Sequence, residues 1–319
     1  MPDLKKIIGN FAGKRILVIG DVMLDAYFLG QITRISPEAP VPVVNVSEKR
    51  YSLGGAANIA FNISQLGAKA HLLGLVGNDG EGRKIAEMAK TAGISAELIP
   101  DGSRPTTMKL RILSNNRHIL RVDSETAEKI PEKAEKSLLD SFAKLLPSCD
   151  GVIISDYNKG VISKSTSNAI IDAAGKHKKP VFIDSKNYLS YGMKGAALLK
   201  PNLKELSKET GIDVSDEEGI KKAAQSLHGK LLPDSLLVTL GEKGMLLLYQ
   251  NKFSRIDGLK THAVDVSGAG DTVIASFALA SVAGASPSDA AKIANCAASI
   301  VVSKVGTVAP SISELKALL

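Results

Sequence analysis

An α/β fold with a doubly wound, mostly parallel sheet flanked by helices is the expectation, and three observations carry it. Short continuous apolar runs alternate with helix-length segments along the 319-residue chain. The first run, RILVIGD, ends in Gly20–Asp21, as a buried parallel strand does where it meets a loop. Two polar, alternating regions, at about 26–47 and 95–123, do not fit such a sheet and are expected to form a small inserted β-lid. The expected organisation is one domain over 1–319.

Taken in order, RILVIGD is the first buried strand, and VPVVNV (Val41–Val46), flanked by proline, reads as an edge strand. GGAANIAFNISQLG is a helix opened by Gly54–Gly55 and closed by Gly67. KAHLLGLVG is a second buried strand, followed by a helix from about Gly80 to Ala92. TTMKLRILSNNRHILRVDSE alternates over two runs joined by Asn115–Asn116, a hairpin signal. From DGVIISD onward strand–helix units repeat through PVFIDSK, ALLKPNLKEL and DSLLVTLGEKGMLLLY, and two Ala-rich helices follow.

Bulk properties narrow the function classes. Aromatic residues make up 4% of the chain and the net charge of +7 forms no basic stripe, which disfavours nucleic acid and suits anionic small substrates. Cys149 and Cys296 stand far apart, as free thiols in a reducing cytoplasm would. No apolar run reaches spanning length and none opens the chain as a signal peptide, so the expectation is a soluble cytoplasmic protein without a membrane partner.

The chemistry centres on DVSGAGD (Asp265–Asp271), which runs into an apolar helix. A helix N-terminus offers unpaired N–H groups to an anion, and Gly268, Ala269 and Gly270 let backbone approach it closely. Asp271 would repel a phosphate there unless it accepts a proton from an attacking alcohol. Alone, the stretch reads equally as a glycine loop completed by an acidic first turn. In PNLKEL, Asn202 and Glu205 lie one helical turn apart, suited to hydrated Mg²⁺ and equally to an ordinary helix cap. TLGEKG (Thr239–Gly244) reads as a nucleotide contact or a tight turn. No Walker A pattern is present, and no G-x-G-x-x-G follows the first strand.

In this order GD, GGAAN, NLKE, TLGEKG and DVSGAGD resemble the ribokinase-like (PfkB) carbohydrate kinases, from about Arg15 to Thr307. The resemblance implies ATP and Mg²⁺ as cofactors, Asp271 as catalytic base, and residues 268–270 as the anion hole. It implies nucleotide or metal contacts from Asn202, Lys204, Glu205, Thr239, Gly241, Gly244 and Asn295. It implies sugar contacts from Asp21 and Asn58, with Gly54–Gly55 as a lid hinge. Some members hold a monovalent cation near the segment equivalent to Asp265–Ser267.

GDVMLDAYFLGQITRISPEAPVPVVNV and YSLGGAANIAFNISQLGA are similar to the D-glycero-β-D-manno-heptose 7-phosphate kinases, in their stand-alone form. FIDSKN departs from that group's Asp-Pro-Lys-Gly at Ser185 and Asn187. Lys109, Arg111, Arg121 and Lys186 are candidates to clamp the sugar's own phosphate, or are solvated strand charges. Asp156 and Asp123 would bind hydroxyls or pair with those cations. The five histidines have no metal-ligand spacing and receive no role. The expected reaction is phosphorylation of the 1-hydroxyl of a heptose 7-phosphate by a homodimer paired through its lid strands. The alternatives are a kinase of another sugar or nucleoside, and a non-catalytic sugar-phosphate-binding protein on the same fold.

Overall fold

After a short helix α1 (Leu4–Gly9), Arg15–Gly20 form β1, and their alternation lays out the larger sheet. Ile16 and Val18 enter one core layer while Leu17 and Ile19 enter the other, so the strand is covered on both faces. The structure, a computed structural model, describes residues 4–115 and 117–319. β2 (Val22–Ile35) and β3 (Pro42–Gly55) leave this body, and α2 (Ala56–Gln65) returns to it. β4 (Lys69–Val76), α3 (Gly80–Thr91) and β5 (Ser95–Pro100) follow, then β6 (Thr107–Ser114) and β7 (Arg117–Ser124).

The second half repeats strand and helix: α4 (Glu132–Leu145), β8 (Gly151–Ser155), α5 (Lys164–Lys176), β9 (Val181–Asp184), α6 (Tyr188–Tyr191), β10 (Leu198–Leu199) and α7 (Leu203–Thr210). It continues through α8 (Glu217–Leu231), β11 (Ser235–Thr239), β12 (Met245–Tyr249) and β13 (Lys252–Ile256). Three helices close it: α9 (Ala269–Val282), α10 (Pro287–Val302) and α11 (Ile312–Leu318).

Among the described residues the larger sheet has nine strands in the order β13-β12-β11-β10-β9-β8-β1-β4-β5. From β11 to β5 neighbouring strands are parallel. The winding reverses at β1, between β4 and β8, so a crevice opens beyond the carboxyl ends of β1 and β8, where open α/β sheets bind ligands. A four-stranded sheet, β3-β2-β6-β7, stands apart from the first. α9 is buried at every position from Asp271 to Ala280 and packs against α2 and α10. An acidic residue at its start is therefore held inside the protein.

Three expectations need correction. Residues 95–100 are not part of the inserted sheet: β5 pairs in parallel with β4 at the edge of the large sheet. Its polar pattern is that of an edge strand with one exposed flank. The segment at 26–47 is longer than expected, because β2 and β3 form a hairpin reaching from Val22 to Gly55 with irregular register at Leu29/Gly30 and Ile32/Arg34. β11, β12 and β13 form an antiparallel meander, so TLGEKG turns a hairpin at the sheet's edge. β6 and β7 pair as the expected hairpin; Asn115 has φ 50°, and Asn116 lies outside the described residues.

Candidate active site

Asp271 is 4% exposed, and each of its oxygens is met by one donor. The Tyr157 hydroxyl donates to Oδ1 at 2.6 Å and Asn58 Nδ2 donates to Oδ2 at 2.8 Å. Asn58 is steadied by Asn62, whose Nδ2 donates to the Asn58 carbonyl at 2.9 Å, and Asn62 Oδ1 accepts from Thr272 at 2.8 Å. The α2–α9 contact is thus a polar chain ending on the carboxylate. Burial pushes the Asp271 pKa up to about 6, although both donors favour the charged form. That value suits a proton acceptor near neutrality.

The helix mouth beside it is built for close approach. Gly268 has φ 77°, and a Cβ there would come within 2.8 Å of Asn58 Nδ2. Among the described residues the N–H groups of Gly268 and Gly270 have no acceptor, whereas Ala269 N–H reaches the Val266 carbonyl at 3.3 Å. Of the three amides expected to form an anion hole, those of 268 and 270 stand free, and that of 269 closes the turn between them. Lys200, which was not singled out in the sequence, brings a buried ammonium to this mouth. It is 3% exposed, pairs with Asp184 at 2.9 Å, and its Nζ lies 3.5 Å from where a Gly270 Cβ would be. Against burial, the carboxylates of Asp184 and Glu205 hold its ammonium above the ordinary value.

A cleft of about 410 Å³ opens from this cradle, lined by Thr239, Gly241, Gly244, Ala269, Gly270 and Asn295 among others. Four of the residues expected at the nucleotide, from the β11–β12 turn and from α10, thus line one cleft. Lys204 does not join them; it is exposed on the first turn of α7. Asn202 and Glu205 form a closed capping box, Asn202 Oδ1 accepting from Glu205 N–H and Glu205 Oε2 from Asn202 N–H, both at 2.9 Å. Glu205 Oε1 also holds Lys186. Each side chain thus accepts from the other's backbone N–H, which is the helix cap that the spacing also allowed. Free amides, a buried ammonium and an open cleft fit nucleotide phosphates. Among the described residues no cluster of three His, Cys, Asp or Glu could hold a metal ion, so Mg²⁺ would enter with the nucleotide, held chiefly by its phosphates and water.

A second cleft, of about 640 Å³, lies between the small sheet and residues 264–265 and 305–307. Tyr27, Arg50, Ser52 and His118 line it from the sheet. His118 and Arg50 were not singled out in the sequence, because only pairing in register brings them to this face. Gly54 and Gly55 end β3 beside it: a Cβ at Gly54 would come 2.6 Å from Asp25 Oδ2, and one at Gly55, with φ 57°, 2.4 Å from the Asp21 carbonyl.

Asp21 and Asp156, the expected sugar contacts, are both buried and already hydrogen-bonded within the protein. Asp21, 1% exposed, accepts the backbone N–H groups of Tyr157 (2.7 Å), Lys159 (3.0 Å) and Val161 (3.3 Å), which ties β1 to the loop after β8. Burial, with Asp156 nearby, pushes its pKa to about 7 despite those bonds. Asp156 accepts from Asn158 N–H at 2.8 Å and from Ser185 Oγ at 2.5 Å, and Asn187 N–H donates to Ser185 Oγ at 2.9 Å. The departures at Ser185 and Asn187 therefore brace the turn with side-chain hydrogen bonds.

The four clamp candidates separate. Arg111 pairs with Asp25 at 2.5 Å and lies 5.2 Å over the Tyr27 ring. Lys186 pairs with Glu205 and lies 5.3 Å over the Tyr157 ring. Arg121 is exposed, and it pairs with Asp123 at 3.0 Å. Lys109 holds Asp123 and Glu125.

Tyr157 carries a prediction. Its hydroxyl stabilises the charged form of Asp271, and burial, with Asp271 itself, raises its own pKa so that it remains a donor. In Tyr157→Phe the carboxylate loses a bond worth about 1.5–3 kcal/mol. The acid limb of the kcat/KM profile, governed by an ionised Asp271, should move upward from near pH 6 by about one to two units. A limb that stays in place would remove Tyr157 from the proton-accepting unit.

The chain matches the family described as pfkB family carbohydrate kinase over residues 14–314. It is 42% identical over 310 residues to the D-beta-D-heptose 7-phosphate kinase of Bordetella bronchiseptica, covering 96% of each chain. It is 40% identical over 304 residues to the bifunctional protein HldE of Koribacter versatilis, covering 95% of this chain and spanning 63% of that relative's length. In fold it is similar to Arabidopsis thaliana ribokinase, solved in complex with ribose and ATP, at 23% identity and TM-score 0.74, with 96% and 98% of the two chains covered.

Proposed function

This chain belongs to the pfkB family of carbohydrate kinases, and from that premise we propose that it transfers the γ-phosphoryl group of ATP to the 1-hydroxyl of D-glycero-β-D-manno-heptose 7-phosphate. The observation that carries the reading is Asp271, buried at the mouth of α9 with its oxygens held by Tyr157 and Asn58, next in the chain to Gly270, which lines a cleft together with Thr239, Gly244 and Asn295. The product is a 1,7-bisphosphate, for ADP-heptose and lipopolysaccharide core synthesis.

ATP with Mg²⁺ would supply the phosphoryl group and the divalent charge bridging its oxygens. Gly268 and Gly270 N–H and the Lys200 ammonium hold the phosphate oxygens and oppose the negative charge that develops on them. Asn58 and Tyr157 keep the Asp271 carboxylate ionised and aimed, and Asp271 takes the proton of the attacking 1-hydroxyl. A monovalent cation near Asp265–Ser267 belongs to the same reading.

The identity to the Bordetella protein supports the sugar assignment. An ADP-release assay over sugars and sugar phosphates, with NMR location of the new phosphate, tests it. Turnover only on another sugar, or none on any, would overturn it.

The dimer belongs to this reading too. Tyr51, Leu120 and Val122 expose 38%, 55% and 43% of their surface on strands of the small sheet, and Ile35 exposes 60%. Pairing of two such sheets would cover them. Sedimentation is expected to give a dimer at micromolar concentration, and Leu120→Glu to shift it toward monomer. A native monomer would contradict the pairing. Among the described residues no helix is long and apolar enough to cross a membrane.

A further inference from the structure

The loop after β8 carries a cation that the reaction above does not use. Lys159 Nζ lies 2.7 Å from Glu125 Oε1, while Lys109 Nζ, from β6 of the small sheet, lies 2.9 Å from Glu125 Oε2. One carboxylate therefore bridges two ammonium groups that belong to different parts of the fold. Asp123 also meets Lys109, at 3.1 Å, and Arg121, at 3.0 Å, so three cations face two carboxylates. All but Arg121 are largely shielded: Lys109 is 17% exposed, Lys159 19% and Glu125 26%.

We infer that Lys109 and Lys159 form the seat for the phosphate at the far end of the substrate, and that Glu125 occupies the seat until the phosphate displaces it. The inference rests on the sugar-phosphate reading above, and three observations carry it. First, spacing: two ammonium groups held by the two oxygens of one carboxylate are placed to be held by two oxygens of one phosphate. Second, position: Asp25 pairs in register with Ser52 on one side and with Lys109 on the other. Ser52 lines the cleft under the small sheet, and β3 runs from it through Gly55 into α2, whose Asn58 holds Asp271. Lys109 stands two strand spacings from Ser52, about 10 Å. That is the reach of a seven-carbon sugar from its first oxygen to a phosphate on its last carbon. Third, rigidity: the Lys159 backbone is fixed at both ends, its N–H on Asp21 at 3.0 Å and its carbonyl on Arg104 Nη1 at 3.0 Å. The seat thus joins the small sheet to the body that bears the reacting groups. A phosphate bridging both would draw the sheet down over the sugar.

The sequence could not single out Lys159. It follows Tyr157 in a loop whose direction is set by Asp21, more than a hundred residues away.

The test measures kcat/KM on heptose 7-phosphate, free heptose, and hexose 6-phosphates with their free sugars. Lys159→Met should lower kcat/KM for the phosphorylated sugars by about 10–150-fold, the worth of one charge-assisted contact, and leave free sugars nearly unchanged. Lys159→Arg should keep most of the preference. Glu125→Gln, which removes the competing carboxylate, should lower KM for the phosphorylated sugar by about two- to fivefold. Equal losses on both kinds of sugar in Lys159→Met, or no loss, would overturn the seat while native turnover of heptose 7-phosphate upheld the reaction. A native enzyme that prefers hexose 6-phosphates would overturn the heptose assignment and leave the seat to be read on those sugars. No preference for any phosphorylated sugar would overturn both.

Discussion

Replacing Asp271 by Asn is expected to lower kcat by about 10²–10⁴-fold while nucleotide affinity is largely retained. The substitution preserves shape, and the site can absorb the amide. Asn58 Nδ2 must donate, so the new side chain can present its oxygen there, and the Tyr157 hydroxyl can turn to accept from the new NH₂. Folding should therefore survive and only the proton acceptor be lost. The residual activity should also lose the acid limb near pH 6, since no carboxylate remains to ionise in that range. Near-normal turnover in Asp271→Asn, with phosphate still placed on the sugar, would remove Asp271 from the chemistry.

The second large effect is expected from Lys200→Met. Met fills similar space but leaves Asp184, 7% exposed, without its counter-ion. Breaking a buried pair in this way costs about 3–5 kcal/mol. Spread over the unfolding entropy of a 319-residue chain, that lowers Tm by roughly 4–7 °C. The loss of the cation beside Gly270 should separately raise KM for the nucleotide at least about tenfold. Asp184→Asn combined with Lys200→Met distinguishes the two roles. The double variant should regain most of the Tm, because no unpaired charge stays buried, yet still bind nucleotide weakly. Recovery of both would mean that Lys200 acts only through folding; recovery of neither would mean that the pair is not what destabilises the single variant.

Legibility in the sequence followed the range of the forces involved. Gly268 and Gly55 were readable because a positive φ and the approach of a neighbour act within a few residues. Thr239, Gly241, Gly244 and Asn295 were grouped by resemblance, and the fold brings all four into the lining of one cleft. Asn202 and Glu205 were half-readable. Their spacing permits either a cap or a metal contact, and the closed box follows from helix geometry alone. Polar alternation at 95–100 misled, since an edge strand and a lid strand present the same pattern and differ only in the strand they meet.

The sequence by itself determined the layered α/β plan, the glycine-opened mouth of α9 and the carboxylate placed there. Apolar period, glycine position and helix polarity are local quantities written residue by residue. Only the tertiary structure decided that Asn58 and Tyr157, 213 and 114 residues away in the chain, would share that carboxylate. It decided too that Asp21 and Asp156 would be spent on backbone and turn, and that Lys109 and Lys159 would close on one glutamate. The physical reason is burial. A charged group removed from water must find its partners within hydrogen-bond reach, and which partners lie there is settled by packing of distant segments, not by neighbours in sequence.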